Sequence, residues 1–372
     1  MSGATDSATT THLFFGPQHP GVTGNMSVAM WFDGDEITKA VTHVGYLHRG
    51  FEKLMERRLW IQNFPLVCRI CVPEPDINEQ CYAMAVESLD GLEVPERARW
   101  IRTLVLELAR LAVNLMALGG QAGTIGLGTG AMWGITFRDF ILDLLEELSG
   151  ARIYHMYIIP GGVRRDLPGD FAEHVLEVLD RIEERLPEMD RLIFANSVFK
   201  DRTVGVGVIP PEWITELGLT GPVARGSGGT RDVRRAAPYA AYRHLDFDVV
   251  TEDGGDIYSR ALVRRRDIDL SMDLIRRTLA GMPDGPVALE LPNLTKWRIP
   301  PGEVYSRVES ARGEYGYYVV SDGGTKPRRV HVRGPSYVHA ITLLERMLVG
   351  ANIADVSNIM VSLTTCPPEI ER

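Results

Sequence analysis

Two four-residue motifs, Cys71-Val72-Pro73-Glu74 and Cys366-Pro367-Pro368-Glu369, stand almost a whole chain apart in a protein of 372 residues. Each sets a soft thiolate and a hard carboxylate three residues apart. For the two to share a site, the fold must bring the ends of the chain together, so the pair predicts a two-sided pocket. Spacing alone leaves a second reading open. In that reading both cysteines are small buried core residues, and both glutamates are solvated or ion-paired with a neighbour such as Arg69.

The rest of the chain narrows the choice. With 45% hydrophobic and 24% charged residues the chain can bury a large core, and it does not read as disordered. A formal net charge of -9 and scattered short basic runs argue against a nucleic-acid surface. The runs Arg164-Arg165, Arg234-Arg235, Arg264-Arg265-Arg266 and Arg328-Arg329 mostly lie near acidic residues and read as salt bridges or partner contacts. No stretch reaches the roughly 18 uninterrupted apolar residues of a spanning helix; the best, 104–118, is broken by Glu107 and Arg110. The first residues lack the basic start and apolar centre of a secretory signal. A cytoplasmic chain that reaches a membrane only through partners is the expectation. Disulfides are not expected from Cys68, Cys71, Cys81 and Cys366. Four thiols offer a zinc or iron–sulfur set in principle, but the second C-x-x-C is missing.

Turn chemistry and periodicity predict an α+β chain, a central helical bundle with small peripheral antiparallel sheets. A rigid loop at 16–21 and a turn at Phe32-Asp33-Gly34-Asp35, followed by a strand over 36–44, predict a small sheet within 1–50. Helical periodicity starts at Phe51 and marks 93–118, closed by Gly119-Gly120, then 137–148, 169–186 and 257–279, giving a helical core over 51–300. Strands are expected over 304–332 about a turn at 321–324, and a helix over 336–348, so that 301–372 packs on the core as one unit. No repeat suggests a solenoid.

Several blocks carry a family resemblance: Phe15-Gly16-Pro17-Gln18-His19-Pro20, the run Gly45 to Lys53 with His48 and Glu52, Asn78-Glu79 with Ala85-Val86-Glu87, Pro160-Gly161-Gly162-Val163, and the segment Glu309 to Glu314 with Tyr317-Tyr318. In this order they resemble the NuoD family, the hydrogenase-derived large subunit of respiratory complex I. Its relatives include energy-converting nickel–iron hydrogenases and the Mbx and Mbs complexes that reduce sulfane sulfur. The resemblance implies a small NuoB-like partner bearing a [4Fe-4S] cluster, a NuoC-like subunit, and a membrane arm with antiporter-like subunits. It places the chain at the cytoplasmic face of the membrane, with no cofactor held by this chain alone.

The chain departs from both better-known branches. Hydrogenases of this superfamily hold nickel and iron on two C-x-x-C motifs; here glutamate replaces the second cysteine of each, at Glu74 and Glu369. Nickel needs soft thiolates, so no metal is expected. The chain also stops three residues after Glu369, read as lacking the tail that many hydrogenases remove after metal loading. In complex I a histidine, a tyrosine and an aspartate clamp the quinone headgroup. Thr23, Val72 and Thr124 stand at those places, and valine cannot donate a hydrogen bond.

Two retained cysteines and two glutamates most resemble the Mbx and Mbs branch. Cys71 and Cys366 would then accept sulfane sulfur by thiol exchange, and Glu74 and Glu369 would relay protons. His19, Thr23, Val72 and Thr124 would line the acceptor, with His48 and Glu52 as further proton groups; His19 and His48 read equally as loop-orienting residues. The favoured acceptor is polysulfide. The alternatives are the NuoD-type subunit of an NADH-quinone oxidoreductase with a remodelled quinone pocket, and a redox-inactive subunit that couples two arms mechanically.

Overall fold

A computed structural model describes residues 11–17 and 25–372. Three antiparallel strands, β1 (Thr11–Phe15), β2 (Ser27–Asp33) and β3 (Glu36–His43), form the first sheet. Asp33 pairs with Glu36 across the expected turn, where Gly34 takes φ 65°. Met26, Val28, Met30 and Ile37 bury one face of this sheet against Leu343, Met347, Ile359 and Ile370. That second apolar core draws the N-terminal sheet onto the C-terminal helices and so brings the ends of the chain together.

The larger core is helical. Helix α1 (Pro75–Asp90), which the periodicity does not single out, is buried on all sides through its first half, so it shows no amphipathic signature. Helix α2 (Glu96–Thr124) runs through the centre, packed against α3 (Gly128–Ser149) and α5 (Ile257–Gly281), and α4 (Phe171–Ile193) packs on α3. Gly119-Gly120 does not end α2 as expected. A Cβ on Gly134 of α3 would fall 2.6 Å from the Leu115 carbonyl and 2.7 Å from the Gly119 Cα. These glycines therefore let two helices approach, and the helix continues past them.

A second sheet is formed by β4 (Gly302–Ser310), β5 (Gly313–Ser321) and β6 (Arg329–Arg333). Ser310 pairs with Gly313, so Ala311 and Arg312 alone make the turn. Beyond it, residues 335–348 are helical with a π segment at Val338–Leu343. Helices α6 (Val356–Ser362) and α7 (Pro367–Glu371) complete the chain. Among the described residues no helix is long and apolar enough to cross a membrane.

The basic runs divide. Arg234, Arg235, Arg265, Arg266 and Arg329 find carboxylates. Arg164 and Arg165 instead donate to backbone carbonyls. Arg264 turns into the core and donates to an amide oxygen and a backbone carbonyl, with no carboxylate partner among the described residues. Grouping these arginines by their runs does not separate the inward residue from its outward neighbours.

Candidate functional site

Both motifs lie at a loop-to-helix transition led by proline. Glu74 is the N-cap of α1, with Pro75 at its first position, and Cys366 is the N-cap of α7, with Pro367 there. Proline costs nothing at that position, where the missing N–H has no helical partner. It fixes the direction in which the preceding residue points. The second core then places the two loops side by side. Cys71, Cys366 and Glu369 present ligand atoms within 4.8 Å of one another, and all three are buried.

Arg312, at the tip of the β4–β5 turn, lies among them. Its Nη2 donates to the Cys71 Sγ at 2.7 Å, its Nη1 lies 2.9 Å from Oε2 of Glu369, and its Nε is 3.9 Å from Oε2 of Glu74. The adjacent Ala311 N–H donates to both Glu74 oxygens at 2.8 and 3.1 Å. The Ser336 N–H donates to Glu369 Oε1 at 2.7 Å, and the Ser336 hydroxyl accepts from the Cys366 N–H at 3.1 Å. Gly334 leaves room for the Glu369 carboxylate, which a Cβ there would overlap. Desolvating charges costs several kcal/mol per ion unless they pair, and this cluster meets that cost by mutual contact. The ion pair expected with Arg69 is thus made by Arg312. Arg69 donates instead to the Pro65 carbonyl at 2.8 Å and to the Cys68 sulfur at 3.3 Å.

Burial, helped by the hydrogen bond with Cys366, pushes the Cys71 thiol well up. The same hydrogen bond, with the Arg312 charge and the Val72 backbone, brings Cys366 down to about 7 against its own burial. Of the two, Cys366 loses its proton first, and Cys71 keeps its own. Burial also raises Glu74, opposed by Arg312, Arg110 and the Ala311 N–H. The donor set of two sulfurs and a carboxylate is not the four-thiolate set of a nickel–iron centre, and the guanidinium takes the cation's place between Cys71 and Glu369. Cys68 and Cys81 stand elsewhere, Cys81 against Ser306 at 3.4 Å.

Cys366 forms part of the wall of a cleft of about 430 Å³ that is otherwise largely apolar, with Leu47, Val72, Val113, Met116 and Val361 around it. Val72 reaches this cleft, as a half-exposed apolar wall residue. Thr124 does not line it; its hydroxyl donates to the Gln121 carbonyl at 2.7 Å and to Asn358 at 3.3 Å. His48 and Glu52 line a separate cavity of about 440 Å³ that includes neither cysteine. There His48 Nδ1 contacts the Glu371 carbonyl at 2.6 Å, and Glu52 pairs with Arg372 at 2.9 Å and His331 at 3.1 Å. His19 and Thr23, with most of the 16–24 loop, lie outside the described residues.

Sequence reading misses the part played by Arg312. An arginine in a two-residue hairpin turn ordinarily points to water, and nothing in Ser310-Ala311-Arg312-Gly313 marks this one as buried. It also misses a buried cluster on α1, where His155 Nδ1 is 2.8 Å from Asp76 and Glu79 accepts from the N–H groups of Met156, Tyr157 and Ile158. Burial opposes the His155 charge, but Asp76 prevails and raises the imidazole to about 9.

The model of the family described as respiratory-chain NADH dehydrogenase, 49 kDa subunit, matches residues 124–298 and 293–372. The chain is 49% identical to the D-subunit of the NADH-quinone oxidoreductase of Thermosipho melanesiensis, over 97% of this chain and 99% of that one. It is 38% identical to the D-subunit of the F(420)H(2) dehydrogenase of Methanosarcina mazei, over 97% of each. In fold it is similar to a chain from the membrane-bound sulfane sulfur reductase, an archaeal respiratory membrane complex. That match has a TM-score of 0.95 and 45% identity and covers 99% of this chain and 100% of the other.

Proposed function

Because the chain belongs to the respiratory-chain NADH dehydrogenase 49 kDa subunit family and is an oxidoreductase subunit, we propose that it delivers electrons to sulfane sulfur at the cleft beside Cys366. The observation that carries this reading is the buried pair of cysteines, side by side next to Arg312, with one of them on the cleft wall. The electrons come from a [4Fe-4S] cluster held by a small partner subunit, which supplies them one at a time. A NuoC-like subunit and a membrane arm with antiporter-like subunits complete the assembly. The chain sits at the cytoplasmic face of the membrane, held there by those partners.

The chemistry divides between the two thiols. The Cys366 thiolate attacks a terminal sulfur of polysulfide, forming Cys366–S–S⁻ and releasing a polysulfide one sulfur shorter. Cys71 then attacks the Cys366 sulfur, closing a disulfide, and its proton leaves with the displaced sulfur as HS⁻. Two electrons and one proton restore a thiol at Cys71 and a thiolate at Cys366. Glu74, which burial keeps protonated to higher pH than an ordinary carboxyl, is placed by Ala311 to serve as the proton donor. Glu369 holds Arg312 in position.

A second reading, quinone reduction in a remodelled pocket, is favoured by the apolar lining of the cleft and by the name of the Thermosipho relative. The test is turnover of the purified native complex under one reductant, with polysulfide or a menaquinone or ubiquinone analogue as acceptor. Fast polysulfide reduction, lost in Cys71→Ser, is the expected result. Quinone reduction that survives the substitution favours the second reading. Electron flow indifferent to both cysteines and both glutamates would leave a purely mechanical coupling subunit.

A further inference from the structure

Arg138 and Arg312 both border the Cys366 cleft, and among the described residues no aspartate or glutamate does. Immediately behind it, sharing Ala117, Val361 and Thr364 with it, lies a small cavity bordered by Arg260 and Arg264, again with no carboxylate among the described residues. Of these four arginines, Arg312 is paired with Glu369 behind the cleft wall, which leaves Arg138, Arg260 and Arg264 as the ones to account for in a chain of net charge -9. Arg260 and Arg264 are buried, yet among the described residues neither pairs with a carboxylate. Arg260 donates to the Ser362 hydroxyl and to the carbonyls of Gly255 and Gly207. Arg264 donates to Asn114 Oδ1 at 3.2 Å, to the Ala311 carbonyl at 3.0 Å and to the Thr364 hydroxyl. Of the nearby carboxylates, Asp267 is paired with Arg225 at 2.7 Å, whereas Asp256 accepts only from neutral groups, the Ser259 N–H at 2.7 Å among them, and faces Arg260 without touching it. Burial without a counter-charge in contact pulls both guanidinium groups down to about 9, so at neutral pH both remain cations.

Neutral acceptors satisfy the hydrogen bonds of these arginines, and no carboxylate among the described residues touches either; Asp256 offsets the Arg260 charge, and Asp267 and Glu74 the Arg264 charge, only in part and from a distance. In a poorly hydrated interior the remaining charge acts over longer distances than it would at the surface. We infer that Arg260 and Arg264, working through the wall at Thr364, give the acceptor cleft a standing positive potential that selects an anionic sulfur chain over an uncharged acceptor of similar size. The inference rests on the cleft being the acceptor site. Arg260, Arg264 and Thr364 are specificity-determining residues; the bond exchange itself belongs to the cysteines.

Thr364 offers a test that leaves the arginines in place. It sits at φ 48°, a left-handed conformation that a β-branched residue rarely adopts, and asparagine and aspartate tolerate it better. Thr364→Asn and Thr364→Asp therefore both preserve the loop, and they differ in one negative charge set on the Arg264 guanidinium. The purified complex carrying each is assayed with inorganic tetrasulfide, a dianion, and with dimethyl trisulfide, which is uncharged. The ratio of kcat/KM for tetrasulfide to that for dimethyl trisulfide is expected to fall at least tenfold in the aspartate variant relative to the asparagine one. Equal ratios overturn the inference. If the wild-type complex reduces neither sulfur compound, the acceptor reading fails by itself, and the potential is read from alkylation of Cys366. The rate with anionic iodoacetate relative to neutral iodoacetamide should then be at least tenfold higher in the asparagine variant. Equal alkylation ratios, or a Cys366 that neither reagent reaches, overturn it as well.

Discussion

Cys71 and Cys366 stand at the same sequence distance from a glutamate. The first thiol, however, is sealed inside and takes a hydrogen bond from Arg312, while the second borders an open cleft and is brought down to about 7. Their glutamates differ in the same way. Glu74 is held mainly by the backbone of the Ala311 turn, whereas Glu369 bears on the guanidinium itself at 2.9 Å. The same Cys-x-Pro-Glu pattern thus yields one thiol on a cleft wall and one sealed behind it; in the proposed mechanism the first meets the acceptor and the second completes the reaction. The difference comes from which wall of the site each loop forms.

Serine substitution should break the comparison most strongly. Cys366→Ser is expected to lower polysulfide turnover by on the order of 10³-fold or more, since the attacking thiolate is lost. Cys71→Ser should stop multiple turnover as completely and yet leave the first sulfur transfer, which rapid-mixing measurement of a single turnover would separate. The glutamates come next. Glu369→Gln leaves Arg312 buried without its nearest countercharge and should cost about 3–5 kcal/mol of stability. Glu74→Gln keeps an oxygen for the Ala311 N–H and should cost about 1 kcal/mol. Thermal unfolding of the assembled complex would rank them, and equal losses would erase the distinction. The smallest effect concerns pH. Because the Cys366 pKa is lowered, its thiolate is present above about pH 7 and lost below it, so iodoacetamide alkylation should rise through pH 7 and level off. In Cys71→Ala, without the thiol donor, the midpoint should move up toward the ordinary thiol value of roughly 8.5.

The architecture was largely legible from local chemistry. The turn at Asp33 to Glu36 and the strands around Tyr317 were marked by turn residues and alternation, and the start of α5 at Ile257 by helical periodicity. Elements went unread where burial removes the pattern, as in α1, or where a glycine serves packing instead of termination, as at Gly119. The meeting of Cys71, Cys366 and Glu369 follows a pairing visible in the sequence. Arg312 does not, because its burial is decided by β4 and β5 inserting a turn beneath loops nearly 60 and 240 residues away. The inward charge of Arg264 was hidden for a related reason: in a run of three arginines, only the helix phase decides which one faces inward.

The most direct test of the division between the two thiols is the mass of the Cys366 peptide in the Cys71→Ser complex after brief exposure to polysulfide. The division predicts one added sulfur on Cys366, removable by a reducing thiol, and none on Cys71 in the reciprocal Cys366→Ser complex. Polysulfide reduction that continues in the Cys71→Ser complex with Cys366 unmodified would contradict it.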